Sequence, residues 1–577
     1  MMKSAFIFIA ISLFTINGYA SSRDYGSEYI EEWKKFYPSK ALALGMHSSI
    51  FLYEDFFPKK IQKWLAFNKS MLELLSDPSS AYVIENRIDA RLLNVQIRSE
   101  IHKWEKAAPH RNSPTLYANL IGNAIDKVVA SDFLTPREKS RIICQRFEAV
   151  KKLCSAAKQS LTGSSRNDAE RSLERLVSIE AYYKDELPGM ANDWVFNPPC
   201  KDIAGAILST TESIRSLIAF LNTEILSSIK ESDTVFGRDE YARRLSLYTD
   251  SPLTPEKLAE MALEEIEHVR NMISEVSKEY LAEKYSDRSL EEGYGDFVSS
   301  AFADMEKDAP ASGEEYLQFW KDLSASASKF VKDQKIATLP KNETLRILSA
   351  PESAGPAARI GWVSSAPPFD PNPLTTLFLP SIPDTFPDHE KKDFWSSFNR
   401  PFNRFIVIHE LFPGHYMQNK IGRESPHPLR LLFGYGLYSE GWATFCERVA
   451  LDAGWERGNK LTLLAHLRKR LENANRAYTS VQVHCNGWDR QKVMQFSTET
   501  SLLAPQFAKS LWGRLMNSPM QLTSYFLGGQ QFTDLLVSEK NRLGEQFNLT
   551  EFMDTILRSG PIPIDEFRNI FSQTISN

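Results

Sequence analysis

Residues 404–418 contain two histidines and a glutamate at a spacing that suits metal-dependent hydrolysis. An apolar helical run leads into His409 and Glu410, and a second histidine, His415, follows six positions after the first. Zinc peptidases commonly carry H-E-x-x-H, in which both histidines lie on one face of a helix. Six positions turn a regular helix by about 600°, which leaves the two imidazoles on different faces. The helix must therefore be interrupted before both histidines can bind one ion.

Pro413 and Gly414 supply this interruption. Proline cannot donate the hydrogen bond of a helix interior, and glycine tolerates unusual backbone dihedrals. A bulge of two residues at this point would return His415 to the face of His409. The spacing therefore predicts an interrupted metal-binding helix.

Glu440 is the candidate for a third ligand. It follows His415 by 25 positions, which suits a second helix packed against the first. Two histidines, one carboxylate and an open position for water form a common catalytic zinc site. Glu447 returns to roughly the same helical face and could accept a hydrogen bond from a ligand histidine. A pair of surface glutamates is the alternative interpretation of Glu440 and Glu447.

The remaining sequence is mainly helical in pattern. Between about residues 27 and 335, apolar residues recur at three- and four-residue steps. Residues 349–387 are rich in proline, serine and glycine, and they include two β-prone runs, 359–363 and 374–379. Either run could be an edge strand that pairs with an extended peptide, and ordinary sheet packing is the alternative. The predicted fold class is mainly α with a small β-sheet.

Residues 1–20 have the composition pattern of a secretory signal peptide. Lys3 precedes the apolar run 5–16, and the small residues Gly18 and Ala20 follow, with cleavage expected after Ala20. The run is shorter than the roughly 20 apolar residues of a transmembrane helix, and an uncleaved anchor is the alternative. The expected cleavage point has no cysteine, so a lipid anchor is not indicated. No later stretch is predicted to span a membrane. We therefore expect an exported protein, periplasmic or extracellular.

Charge and cysteine content restrict the function classes further. The 577-residue chain has a formal net charge of -5 and no domain-wide basic excess, so nothing favours a nucleic-acid partner. An odd number of cysteines leaves at least one unpaired. The sequence contains no C-x-x-C pair, which argues against a cysteine-based zinc site. We expect mostly buried free thiols and at most one bridge. The five cysteines are Cys144, Cys154, Cys200, Cys446 and Cys485.

The two motifs together resemble a known family. Residues 409–415 read H-E-x-x-P-G-H and residues 440–443 read E-G-W-A. This pair is similar to a large, mostly bacterial family of predicted gluzincin-like zinc metallopeptidases, long catalogued only as a domain of unknown function. The likeness covers nearly the whole mature chain. Further similar blocks are residues 33–47, 88–93, 237–241, 253–258, 519–528 and 557–563.

The resemblance implies a large helical zincin with one Zn²⁺. Carried over by position, His409, His415 and Glu440 become the zinc ligands, and Glu410 becomes the general base that activates water. The change in composition near residue 340 divides the mature chain into a helical N-terminal region at 21–340 and a metal-binding catalytic region at 341–577, which we expect to be one continuous domain. The family usually has an aspartate four residues before a later histidine. Here that histidine is identified as His484, and position 480 holds a serine.

Tyr525 and His484 are the candidates for stabilising the tetrahedral oxyanion, because both lie in family-like blocks. A packed core tyrosine and a structural histidine are the alternatives. The predicted reaction is zinc-dependent hydrolysis of a peptide substrate. Two other functions stay open: a zinc amidohydrolase acting on non-peptide amides, and a non-catalytic binding protein that retains the fold. The sequence does not indicate the oligomeric state.

Overall fold

The structure is a computed structural model that describes residues 24–76, 87–193, 202–229, 235–285, 294–341, 344–372, 374–503 and 505–573. The signal peptide predicted at residues 1–20 lies outside the described residues, and so does Cys200. Fifteen helices precede the sheet in the described ranges. They are α1 Tyr25–Phe36, α2 Pro38–Ala43, α3 Pro58–Ser76, α4 Arg87–His102, α5 Pro109–Asn112, α6 Pro114–Asn123, α7 Asp126–Val129, α8 Pro136–Ser160, α9 Arg166–Ala181, α10 Leu187–Asp193, α11 Ile203–Phe220, α12 Arg238–Thr249, α13 Pro255–Lys284, α14 Tyr294–Lys307 and α15 Gly313–Asp333.

A small sheet separates these helices from the part of the chain that carries His409, His415 and Glu440. Its strands are β1 Leu345–Ser349, β2 Trp362–Ser364 and β3 Thr375–Leu379. Helices then follow to the end of the described residues. They are α16 Asp388–Ser397, α17 Arg400–Glu410, α18 His415–Gly422, α19 Pro428–Leu432, α20 Tyr438–Asp452, α21 Lys460–Asn486, α22 Arg490–Gln495, α23 Pro505–Asn517, α24 Pro519–Leu543, α25 Leu549–Ser559 and α26 Glu566–Gln573. The predicted mainly α fold class with a small sheet is confirmed.

Side-chain caps start two of the helices that carry the candidate site, α17 and α21. Asn399 accepts a hydrogen bond from the backbone of Phe402 at 2.9 Å, and so begins α17. Asn459 does the same for α21 through the backbone of Thr462 at 3.1 Å. Such caps satisfy backbone donors that have no partner in the first turn of a helix. They therefore fix where these two long helices begin.

The sheet has the order β1–β3–β2, with β3 parallel to β1 and antiparallel to β2. The two predicted β-prone runs correspond to β2 and β3, whereas β1 was not predicted. Because β3 pairs on both sides, the prediction that residues 374–379 could be an edge strand is wrong, and only β2 keeps that possibility among the two runs. The sheet lies beside α18, where Asn419 donates to the hydroxyl of Ser365 at 3.1 Å.

Two large hydrophobic cores hold the helices together. One is built from buried residues between 25 and 225, joined by Leu429 and Phe433. The other is built mainly from residues between 241 and 571, so α12–α15 share a core with α17, α18 and α20, which carry the predicted ligands. The predicted division at residue 340 stays a prediction, although this shared core crosses it.

Within the described residues, one helical stretch, Ile203–Ser228, is long and apolar enough to cross a membrane by length and composition alone. Core helices meet the same criterion, and Ile207, Ile214 and Leu217 of this stretch are packed into the first core. Three cysteines are free thiols, of which Cys154 and Cys446 are buried and Cys485 is partly buried. Cys144 is disulfide-bonded. One bridge and several free thiols agree with the expectation from the odd cysteine count.

Candidate metal centre

The helix carrying His409 is interrupted where the sequence predicted. Helix α17 ends at Glu410, and α18 begins at His415. Between them, the backbone of Gly414 donates to Ile408 at 3.0 Å and that of Met417 donates to Leu411 at 3.3 Å. Both bonds reach back six residues instead of four, which corresponds to two inserted residues. The bulge therefore gives His415 the position that i+4 has in an uninterrupted helix.

Gly414 is required by the tightness of this bulge. A Cβ atom at this position would lie 1.9 Å from the carbonyl oxygen of His409 and 2.3 Å from that of Ile408. Both are backbone atoms, which cannot rotate away as a side chain can. A residue without a Cβ is therefore the one that fits here.

His409, His415 and Glu440 converge on one point. Each offers a ligand atom, and these atoms all lie within 4.8 Å of one another. The carboxylate oxygen Oε2 of Glu440 is 3.7 Å from Nε2 of His409 and 3.3 Å from Nε2 of His415. Ligands about 2.1 Å from a tetrahedral ion lie roughly 3.4 Å apart, so the spacing is that of a shared metal. The three predicted ligands are therefore brought together in a geometry that could hold an ion.

The other nitrogen of each histidine is held by an acceptor. Nδ1 of His409 donates to Glu447 at 2.7 Å, and the second oxygen of Glu447 accepts from Nδ1 of His466 at 3.1 Å. Nδ1 of His415 faces the amide oxygen of Gln418 at 3.5 Å. A carboxylate only accepts, so the proton of neutral His409 is on Nδ1 and Nε2 is free for a metal. Glu447 thus has the orienting position that the sequence suggested.

These contacts set the charges of the metal-free site. Burial alone would lower the pKa of His409, but hydrogen bonds to Glu440 and Glu447 outweigh it and raise the pKa to about 10. Burial would raise the pKa of Glu447, yet hydrogen bonds from His409 and His466 bring that pKa down to about 2. Glu447 is therefore ionised at neutral pH, and a metal ion must displace a proton from His409 to bind.

Glu440 is anchored on its far side by Gln521 of α24. The amide nitrogen of Gln521 donates to Oε1 of Glu440 at 3.1 Å and lies 3.2 Å from the hydroxyl of Tyr525. This leaves Oε2 of Glu440 directed at the two histidines. The hydrogen bond from Gln521 therefore leaves Oε2 as the oxygen of Glu440 that could bind a metal ion.

The residues that follow Glu440 explain how its helix is placed. Gly441 lets α20 pack against α24, because a Cβ there would lie 2.5 Å from the Cα of Gly528. Trp442 is fully buried, and its indole nitrogen donates to the carbonyl of Pro413 at 3.0 Å. The E-G-W sequence thus supplies a ligand, a close helix contact and an anchor for the bulge.

Glu410 and Tyr525 lie at this site. Glu410 is the last residue of α17, is partly exposed, and makes no hydrogen bond or ion pair with any described residue. The ring of Tyr525 stacks nearly parallel to that of His409, with centroids 6.4 Å apart. Burial, and then the charge of Glu440, raise the pKa of Tyr525. Its hydroxyl therefore keeps its proton at neutral pH and can donate.

His484 has the contacts of a packed histidine. It is buried, its Nε2 donates to the carbonyl of Leu515 at 3.0 Å, and its Nδ1 accepts from the backbone of Phe236 at 3.4 Å. Its ring also stacks on that of Phe236, with centroids 4.5 Å apart. Burial lowers the pKa of His484, which agrees with a neutral ring using both nitrogens. These contacts favour the structural alternative over the predicted oxyanion role.

Sequence reasoning missed three residues of the site: His466, Gln418 and Gln521. His466 lies in the second turn of α21, and no spacing relates it to the metal motif. Gln418 does lie three residues after His415, which is a helical neighbour spacing that could have drawn attention to it. Only packing between α20, α21 and α24 brings the other two to the site.

The chain resembles a bacterial protein family and several solved structures. Residues 38–570 match the model of a family described as a bacterial protein of unknown function, DUF885. No functionally curated protein matches the chain.

Two solved structures share the fold. One, from Shewanella oneidensis, is described as a predicted lipoprotein of unknown function; it is 19% identical, has a TM-score of 0.82, and the match covers 95% of this chain and 98% of that one. The other, described as a predicted lipoprotein from Colwellia psychrerythraea, is 16% identical with a TM-score of 0.73, and the match covers 96% and 99% of the two chains. At these identities the likeness shows the fold alone.

Proposed function

The chain belongs to DUF885, a bacterial family of unknown function, and we therefore propose the function of this protein from its candidate site. The proposed activity is zinc-dependent hydrolysis of peptide bonds, with Glu410 as general base. The observation that carries this proposal is the distance of one oxygen of Glu440 from the facing nitrogens of His409 and His415, 3.7 and 3.3 Å. Two imidazoles and one carboxylate leave a fourth position open, as in catalytic zinc sites.

The donor set favours zinc over harder ions. Calcium and magnesium prefer sites made of oxygen ligands, whereas imidazole nitrogens suit zinc and other transition metals. Nδ1 of His409 is bonded to a carboxylate, which is the outer contact common around zinc-bound histidines. We therefore assign one zinc ion to His409, His415 and Glu440.

The reaction divides between the ion and two side chains. A zinc ion supplies Lewis acidity and lowers the pKa of a bound water to about 7. The carboxylate of Glu410 has no hydrogen-bond or ion-pair partner among the described residues. It accepts the proton of the attacking water and delivers it to the leaving amine. Tyr525 donates its hydroxyl proton in a hydrogen bond to the oxyanion. Each role uses a group whose hydrogen-bonding capacity is still available.

We also propose that the protein is exported. The signal-like residues 1–20 support this, and so does the disulfide of Cys144, since disulfides persist in oxidising compartments. The two fold neighbours described as predicted lipoproteins fit an envelope location. Mass determination of the mature N-terminus tests the proposal, which requires removal of about the first twenty residues.

Metal removal tests the hydrolase proposal. Purified protein is expected to contain one zinc per chain by elemental analysis and to cleave members of a peptide mixture followed by mass spectrometry. Dialysis against a chelator should abolish cleavage, and one equivalent of zinc should restore it. A parallel panel of N-acyl amino acids separates peptide from non-peptide amide substrates. A zinc-loaded protein that leaves every peptide intact contradicts the proposal.

Replacing Glu447 with glutamine is expected to weaken zinc binding by about 10- to 100-fold. The carboxylate of Glu447 accepts from both His409 and His466, and a glutamine has one neutral carbonyl to offer in its place. His409 therefore loses the partner that fixes its ring and tautomer. Competition with a chromophoric chelator measures the affinity.

The matched control is Glu539→Gln, which removes another buried glutamate, paired with Arg542 in α24. It should leave the zinc affinity unchanged. Equal affinities for wild-type protein and the Glu447→Gln variant would show that this carboxylate does not orient the ligand.

A further inference from the structure

A cluster of positive side chains lies beside the candidate metal centre. Lys469 and Arg476 of α21 and Arg514 of α23 surround one carboxylate, that of Glu472. Lys469 lies 3.0 Å from Glu472, and Arg476 also forms an ion pair with it. Three cations therefore face two carboxylates, because Glu447 also acts on Lys469, which still leaves an excess of positive charge in a partly buried place.

Arg514 carries most of this excess. Its guanidinium contacts the amide oxygen of Gln521 at 3.5 Å, and within the described part of the chain no carboxylate oxygen lies within 4.0 Å of it. Arginine stays protonated at any ordinary pH and has five donors in a planar fork. Most of these donors are still available to bind a second anion.

The cluster is close to the catalytic groups. Gln521, which contacts Arg514 through its oxygen, donates to Glu440 through its nitrogen at 3.1 Å. The guanidinium of Arg476 lies over the ring of Tyr525, 4.8 Å from its centroid. One glutamine side chain thus separates Arg514 from a proposed zinc ligand.

We propose that Arg514, assisted by Arg476, binds the free C-terminal carboxylate of a peptide substrate, so that the enzyme releases short fragments from C-termini. This inference rests on the proposed peptidase function. A planar guanidinium pairs with a carboxylate through two parallel hydrogen bonds, which gives both attraction and orientation. Arg514 is a binding residue in this scheme, and Glu410 remains the group that transfers the proton.

The short distance to the metal centre favours a terminal carboxylate. An extended peptide advances about 3.3–3.6 Å per residue, so a carboxylate at Arg514 belongs to a residue one or two positions beyond the bond being cleaved. A cavity of about 600 Å³ is lined by Lys469 and Glu472 of the cluster together with Phe402. The cluster is therefore reached from outside on the side of Lys469 and Glu472.

Binding to an inactive protein tests the inference directly. Zinc-loaded Glu410→Gln protein is titrated by calorimetry with trialanine and with trialanine C-terminal amide. The free acid is expected to bind about tenfold more tightly, since a hydrogen-bonded charge is lost in the amide. Adding Arg514→Gln should remove most of this difference, and Arg514→Lys should keep part of it.

Two controls accompany the titration. Arg490→Gln removes an exposed arginine at the start of α22 and should change neither affinity. Thermal unfolding checks that each variant is folded. An amide of Ala-Asp-Ala tests whether the cluster binds an acidic side chain instead of a terminus.

The inference is overturned by equal binding of trialanine and its amide, by a preference for the free acid that survives Arg514→Gln, or by binding of the Ala-Asp-Ala amide as tight as that of trialanine. Failure of trialanine to bind at millimolar concentration also overturns it. Wild-type enzyme that cleaves free and amidated peptides equally well rejects the terminal carboxylate but keeps the peptidase. Absence of cleavage of any peptide rejects the peptidase itself.

Discussion

Glu410→Gln is expected to lower kcat for peptide hydrolysis by about 10²- to 10⁴-fold while zinc stays bound. Glutamine keeps the size of the side chain but cannot accept the proton of the attacking water. The metal should remain because its ligands are His409, His415 and Glu440, and Glu410 contacts none of the described residues through a hydrogen bond or ion pair. Steady-state kinetics and elemental analysis of the same preparation measure both quantities.

Glu424→Gln is the matched control, because it changes an exposed glutamate just after α18. It should have wild-type kcat and metal content. If the Glu410→Gln variant hydrolyses an identified substrate at the wild-type rate, another group must be the base. If zinc is lost as well, the variant says nothing about proton transfer alone and Glu410 must be assigned to the metal site.

Gly414→Ala is expected to abolish stoichiometric zinc binding and with it activity. The new Cβ would lie 1.9 Å from the carbonyl oxygen of His409 and 2.3 Å from that of Ile408. Relieving this overlap requires the bulge to open, which moves His415 away from the shared ion. Overpacking of this kind costs about 1–3 kcal/mol or more, so the melting temperature should fall too. Zinc content and thermal unfolding of the purified variant check both effects.

Gly422→Ala provides the control for glycine replacement itself. This glycine ends α18, and a Cβ there would meet no atom within 4 Å. Zinc content and activity should stay at wild-type values. Full zinc occupancy in the Gly414→Ala variant would show that the bulge tolerates a side chain, against the geometry described above.

Much of the candidate site followed from local sequence. His409 and His415 are six residues apart, and Pro413 with Gly414 supplies the chemistry of a helix break, so the bulge could be predicted before any coordinates. Helix starts were also local, since Thr254 caps α13 through the backbone of Lys257 at 3.2 Å. These features depend on neighbours within a few positions, which a sequence displays directly.

Other expectations depended on distant partners, which a sequence does not display. The run at residues 374–379 looked like a possible edge strand, yet β3 is central because β1, a strand without a clear sequence signal, pairs with it. His484 belongs to the family-like sequence pattern, but its two ring nitrogens form hydrogen bonds with the backbones of Leu515 and Phe236. Periodicity identifies a strand or a helix and does not say what lies next to it.

The sequence by itself determined the types of the candidate metal ligands, their spacing, the interruption of their helix and the mainly helical fold. Tertiary structure alone decided that Glu447 bridges His409 and His466, that Gln521 holds Glu440, and that Arg514 stands beside them. The physical reason is the close packing of α20 on α24, made possible where Gly441 meets Gly528. Contacts of this kind join residues many positions apart, and only the folded chain brings them within reach.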